Sequence, residues 1–245
     1  MNNGTKTLQT HDPLRAFYET SYKEHGFGAQ RRYPNEEFCR FLGSNWLNKT
    51  SPSERAAIRL LEVGAGSGAN LWMAAREGFE TYGLELTDEG VALCKQCLKT
   101  WNVKAEVQQG DMTAMPYGNG FFDVVCDIFS AYCLPYDAYC HFLKEVRRVL
   151  KTDGKFFFYT PSTNSAAFLH HEPAKLIDPF TLDGIRRESS PYFGNFYPFR
   201  FLAPDTVSTI LEEYGFSIAN LEVNGRTYNS RNEYFEFVVC TAIKK

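Results

Sequence analysis

From residue 58 onward, short runs of consecutive apolar residues alternate with segments whose apolar positions recur at helical spacing. Runs of the first kind suit strands buried on both faces; segments of the second suit amphipathic helices. The alternation predicts strands at 58–63, 79–85, 105–109, 121–127 and 155–160, with helices at 69–77, 88–100 and 137–150. That rhythm belongs to a doubly wound α/β fold, a mostly parallel sheet covered by helices on both faces. After a further helix at 204–214 come two strands, 216–223 and 234–243, with no helix between them. Strands joined so directly pair as a hairpin, which completes a seven-stranded sheet with one antiparallel strand.

Two stretches fall outside the rhythm. Residues 1–50 combine a polar tail, the aromatic, mixed-charge segment 13–28, and a segment in which Pro34 and Asn35 stand where a helix begins while Phe38, Phe41 and Leu42 share one face. They read as a helical cap, joined by a Ser/Pro-rich linker at 48–54 to a core at 51–245. Residues 161–203 form a long insertion before the last helix, and connections of that length in a compact domain are usually functional. They read as a substrate lid.

Composition narrows the function. A net charge of -3 without a basic tract speaks against nucleic acid as a partner. No stretch approaches the roughly 20 apolar residues of a membrane helix, and the N-terminus lacks a signal-peptide core, so a cytoplasmic location without a membrane partner is expected. The 7 cysteines are scattered. An odd number in a chain of this kind reads as reduced thiols, and the lone C-x-x-C, Cys94 with Cys97, lacks the second pair of a zinc site; no metal is expected.

The chemistry concentrates at Glu62-Val-Gly64-Ala65-Gly66-Ser-Gly68, an apolar strand entering a glycine-rich turn and then a helix. Glycines there let the chain turn sharply and let a ligand approach the backbone without a Cβ in the way. They do not choose the ligand, because Gly64-x-Gly66-x-x-Ala69 with Glu85 further on also satisfies a dinucleotide fingerprint. Two features separate the readings. Glu62 precedes the first glycine, where a carboxylate can serve the turn or a ligand ammonium, and Gly110-Asp111-Met112 follows the third strand.

Those motifs, continued by Phe122-Asp-Val-Val-Cys-Asp127 and Tyr214-Gly-Phe216, resemble class I S-adenosylmethionine-dependent methyltransferases in the family's order over about residues 58–240. The resemblance implies a Rossmann-like methyltransferase fold with S-adenosyl-L-methionine as cofactor and a small-molecule acceptor, methylated on oxygen or nitrogen. It implies that Gly64 and Gly66 admit the methionine and ribose, that Glu85 meets the ribose hydroxyls, that Asp111 and Met112 meet the adenine, that Asp127 and Ile128 line the methionine end, and that Ala65, Gly68 and Leu86 also belong to the cofactor site. From the cap it implies an aromatic near the sulfonium and an arginine on the methionine carboxylate, here Tyr22 and Arg32. Thr152-Asp-Gly154 stands where the family has Pro-Gly-Gly, a turn variant.

For the acceptor, Tyr18, Tyr132, Arg186, Arg187 and Tyr197 are the candidates. The arginines suit an anionic or sugar-like compound, in a water-poor pocket walled by the insertion's aromatics. If the acceptor is a hydroxyl, His170 or His171 is the candidate base, and only one of two adjacent side chains in an extended segment faces the pocket. Three alternatives stand beside this reading: an NAD(P)-dependent oxidoreductase, a non-catalytic cofactor-binding scaffold, and an insertion that serves as a homodimer interface.

Overall fold

The computed structural model describes residues 12–28 and 30–245. The expected tail, apart from Asp12, lies outside them. The cap is α1 (Asp12–His25) and α2 (Glu36–Leu42), which runs on as a π turn through Leu47. Asn35 starts α2 because its side chain accepts from Glu37 N and Phe38 N at 2.8 and 3.2 Å, satisfying donors that have no partner within the helix. The linker carries one short helix, α3 (Pro52–Arg55), opened by a capping box between Ser51 and Glu54.

The core then alternates as the pattern requires: β1 (Arg59–Val63), α4 (Leu71–Arg76), β2 (Glu80–Glu85), α5 (Asp88–Thr100), β3 (Glu106–Gln109), β4 (Phe122–Ile128), α6 (Tyr136–Val149) and β5 (Leu150–Pro161). The insertion contributes α7 (Ala166–Leu169) and three short strands, β6 (Leu176–Asp178), β7 (Thr181–Leu182) and β8 (Phe199–Arg200), before α8 (Val207–Glu213), β9 (Phe216–Tyr228) and β10 (Glu233–Lys244) close the chain. The main sheet has the order β3-β2-β1-β4-β5-β10-β9. Its one antiparallel strand is β10, inserted between β5 and β9. The topological switch lies between β1 and β4, and such sheets hold their ligands in the crevice beyond the strand ends there.

The insertion is a small antiparallel sheet, β6-β7-β8, rather than coil. Phe199, Phe201 and Leu202 are buried within it, so much of its aromatic content packs inward. β9 runs to Tyr228, past the expected end at 223, because its polar second half is held by the ladder to β10 and not by burial. Among the described residues no helix is long and apolar enough to cross a membrane, and no cluster of His, Cys, Asp and Glu could hold a metal. Cys94 and Cys97 are buried thiols of α5, raised in pKa chiefly by that burial.

Candidate active site

β1 ends at Val63 and the chain turns through Gly64, whose φ is +61°. A Cβ at Gly64 would sit 2.3 Å from Ser130 Cβ, and one at Gly68 2.7 Å from Cys94 Sγ, so both positions exclude a side chain by backbone angle and by space. Glu85, at the end of β2, fixes the turn: its Oε2 accepts from Gly66 N at 2.9 Å, and its Oε1 lies 3.3 Å from Thr87 Oγ1.

Around this turn opens a cleft of about 720 Å³, counting its mouth. A second cavity of about 310 Å³ adjoins it and shares Gly64, Leu86 and Met112 with it. Glu62 is the charged residue in the floor of the cleft and is 3% exposed. Its Oε1 accepts from Asn70 Nδ2 at 2.6 Å, while its Oε2 has no partner. Burial pushes its carboxyl up to about 8, against the opposing pull of the Asn70 bond and the Arg31 charge. Asn70 also accepts from Asn35 N at 2.8 Å, which ties the cap to the floor.

The cap closes one side. Leu14, Tyr18 and Tyr22 of α1 line the cleft, and beyond α1 the residues Gln30 and Arg31 form a strap across it. The strap is tethered twice, by Ser67 Oγ donating to Arg31 O at 2.7 Å and by Trp72 Nε1 donating to Arg32 O at 3.2 Å. Arg31 faces the cleft; Arg32 does not, and its guanidinium lies 6.0 Å from the Phe27 ring. The segment is bent at Gln30, Arg32 and Tyr33, and with the Arg31 and Arg32 carbonyls tethered it is Arg31, not the expected Arg32, that turns to the cleft.

The other cofactor candidates fall as follows. Ala65, Gly66, Glu85, Leu86 and Ile128 line the cleft. Asp111 lines the second cavity, and its Oδ1 accepts from Thr113 N at 2.7 Å. Asp127 does not reach the cleft. It is 2% exposed, and its Oδ1 accepts from Ser130 N and Ala131 N at 2.9 and 3.0 Å, so its work is to hold the turn after β4. Gly68 also stays off the lining and packs against α5.

Of the acceptor candidates, Tyr18, Tyr132 and Tyr197 come together from α1, the loop after β4 and the insertion, with Tyr18 on the cleft lining and the other two buried behind it. Their hydroxyls form a closed triangle, with oxygens 2.9 Å apart for Tyr18 and Tyr132, 2.6 Å for Tyr132 and Tyr197, and 3.3 Å for Tyr18 and Tyr197. Burial raises all three phenols above their ordinary range, Tyr197 to about 12. The expected arginines are elsewhere. Arg187 Nε donates to the buried Glu233 at 2.9 Å, and Arg186 pairs with Asp183 at 3.5 Å beneath the Phe196 ring. Neither lines the cleft. The histidines are corrected too: His170 is exposed at the end of α7, and the ring of His171 engages Ala174 O through Nδ1 at 3.0 Å. Sequence reasoning passed over Leu14, Gln30, Arg31, Asn70 as a bridge, and Ser130. Arg31 carried a signal, as the neighbour of the arginine chosen, and Ser130 another, as the start of the loop that follows β4.

Residues 61–158 match a family model described as a methyltransferase domain. A phthiotriol/phenolphthiotriol dimycocerosates methyltransferase of Mycobacterium leprae is 36% identical over 98 residues, 39% of this chain and 35% of that protein. The chain thus spans about a third of that relative's length. Among solved structures, 1,6-didemethyltoxoflavin-N1-methyltransferase of Burkholderia thailandensis, with its substrate and S-adenosylhomocysteine bound, superposes with a TM-score of 0.60 at 15% identity, over 99% of this chain and 93% of that one. The cyclase SpnF superposes with a TM-score of 0.63 at 16% identity, over 99% of both chains. These likenesses speak for the fold, and the edge hairpin with its antiparallel β10 departs from the all-parallel order of dinucleotide-binding sheets. Residues 61–158 thus resemble a methyltransferase domain, and the chain around them has the fold of class I S-adenosylmethionine-dependent methyltransferases.

Proposed function

We propose that this chain binds S-adenosylmethionine in the cleft and transfers its methyl group to an oxygen or nitrogen of a small molecule. The observation that carries the reading is Glu62, a buried carboxylate with one unpartnered oxygen in the wall of a glycine-lined cleft. Such an oxygen is costly unless a ligand donates to it, and an ammonium group does so with charge as well. Arg31 suits the carboxylate of the same amino-acid moiety, Glu85 a ribose diol, and Leu86, Met112 and Asp111 the base in the adjoining cavity. When bound, S-adenosylmethionine supplies a methyl group on a cationic sulfonium, which the aromatic faces of Tyr18 and Tyr22 accommodate.

The acceptor wall supports an uncharged acceptor, contrary to the expectation from the insertion's arginines. Those cations are held by Glu233 and Asp183, so an anion here would meet Glu62 and Glu85 with Arg31 as the one lining cation among the described residues. Among the described residues no histidine lines the cleft and the phenols keep their protons, so acceleration rests on holding the acceptor in line and free of water. Titration calorimetry with S-adenosylmethionine, S-adenosylhomocysteine and NADH tests the cofactor reading. Micromolar binding of the first two, absence of the third, and a loss of roughly ten- to hundredfold in Glu85→Ala are expected. Binding of NADH alone would overturn it. Turnover is then sought by mass with pooled neutral metabolites, and methylation confined to anionic ones would refute the acceptor class.

A further inference from the structure

The outer edge of β9 ends the main sheet, and the strand is 13 residues long. Its register to β10 skips once, at Ala219; from Asn220 to Tyr228 the pairing is regular. Such an edge, with unpaired backbone donors and acceptors, is a template for another strand unless prolines, lysines or inward charges blunt it. β9 has neither proline nor lysine, and its charges beyond the bulge are Glu222 and Arg226.

We propose that two copies of this chain join edge to edge through β9, antiparallel about a two-fold axis at Asn224. In that register Glu222 of one copy stands opposite Arg226 of the other, twice, so the two charges that would block an arbitrary strand become complementary for a second copy. On the opposite face Val223 stands across from Gly225 of the second copy. There the Tyr234 ring covers the glycine, since a Cβ at Gly225 would come within 2.1 Å of the Tyr234 hydroxyl oxygen. Val223 and Tyr234 are 51% and 39% exposed, and this pairing covers both. Within the chain Glu222 and Arg226 meet Arg40 at 3.9 Å and Glu36 at 3.4 Å, exposed pairs that cost little to exchange. A ladder of this length buries less than a standard interface, so the dimer is concentration-dependent.

Sedimentation velocity across roughly 1 to 200 µM reads the equilibrium directly. The mass is expected to rise toward twice 28.0 kDa. Asn224→Cys is expected to form a disulfide-linked dimer on mild oxidation, where the unaltered chain forms none, because residues paired on a two-fold axis lie within disulfide reach. Val223→Lys, an exposed change that leaves the melting temperature intact, weakens association by roughly tenfold or more, and so does Glu222→Arg, whereas Glu222→Arg with Arg226→Glu restores it. A chain monomeric throughout overturns the proposal. So does a dimer untouched by Val223→Lys that falls on replacing the exposed Phe193 and Phe196, which assigns the contact to the insertion.

Discussion

Along the glycine loop Glu62 keeps a buried oxygen unpartnered and Arg31 turns its charge inward, while on the insertion's side Arg187 and Arg186 stand off the cleft on their carboxylates and Tyr18, which does line it, is closed into a ring with the phenols of Tyr132 and Tyr197 behind it. The first wall has open valences and the second has closed ones. A wall of the first kind binds a ligand by completing itself. One of the second kind contributes shape and excludes water, and a ligand there competes with bonds already made.

Substitutions can test that contrast, beginning with the largest effect. Gly64→Val sets a branched side chain into Ser130 at a positive φ; cofactor binding should fall by more than about a hundredfold with a lowered melting temperature, read by calorimetry and thermal denaturation. Arg187→Ala leaves the wholly buried Glu233 with Ser189 alone; stability should drop by about 2–3 kcal/mol in urea titration with cofactor affinity unchanged, and a changed affinity would return Arg187 to the site.

Glu62→Gln should weaken S-adenosylmethionine by roughly tenfold, and pH sharpens the test. The folded carboxyl titrates near 8 against an ordinary 4.5, so the ligand-free protein holds an extra proton between those values. Its stability therefore falls as pH rises from about 5 to about 8, while affinity for an ammonium ligand climbs over the same window. In Glu62→Gln both slopes flatten; persistence of either assigns it to another group. Arg31→Ala should cost roughly tenfold in cofactor affinity and Arg32→Ala almost nothing, the two measured side by side. Smallest of all, His170→Gln and His171→Gln should each leave turnover within about twofold, since neither ring reaches the cleft.

The loop wall was legible because its geometry is local. A strand, three glycines and a carboxylate at each of two strand ends define it within a short span, and Glu62, Gly64, Glu85 and Met112 all stand on it. The acceptor wall was not, since whether an arginine is free depends on a carboxylate 46 residues away, as Glu233 is from Arg187. Asp127 was misread for another reason: a strand-end carboxylate that binds a ligand and one that holds a turn look alike until Ser130 and Ala131 are in place. That Arg31 and not Arg32 lines the cleft was not legible, because the direction of each side chain of the strap is set by its tethers, Ser67 and Trp72, which lie beyond it in sequence. The sheet and its hairpin were readable from periodicity, but not the reach of β9 nor the early start of β5 at Leu150, which polar residues follow.

The bridge made by Asn70 has a consequence for the order in which the molecule assembles. One end of its amide holds Glu62 and the other holds the first backbone donor ahead of α2, so the cleft floor and the cap share a keyed joint beside the strap's tethers at Ser67 and Trp72. An aspartate there would accept from Asn35 but set its own charge against Glu62, and a leucine would release both. The joint can latch only after β1 and α4 have docked, although the cap leaves the ribosome first. For this joint the N-terminal segment therefore has no partner until β1 and α4 stand together, and making it brings the cap onto the cleft.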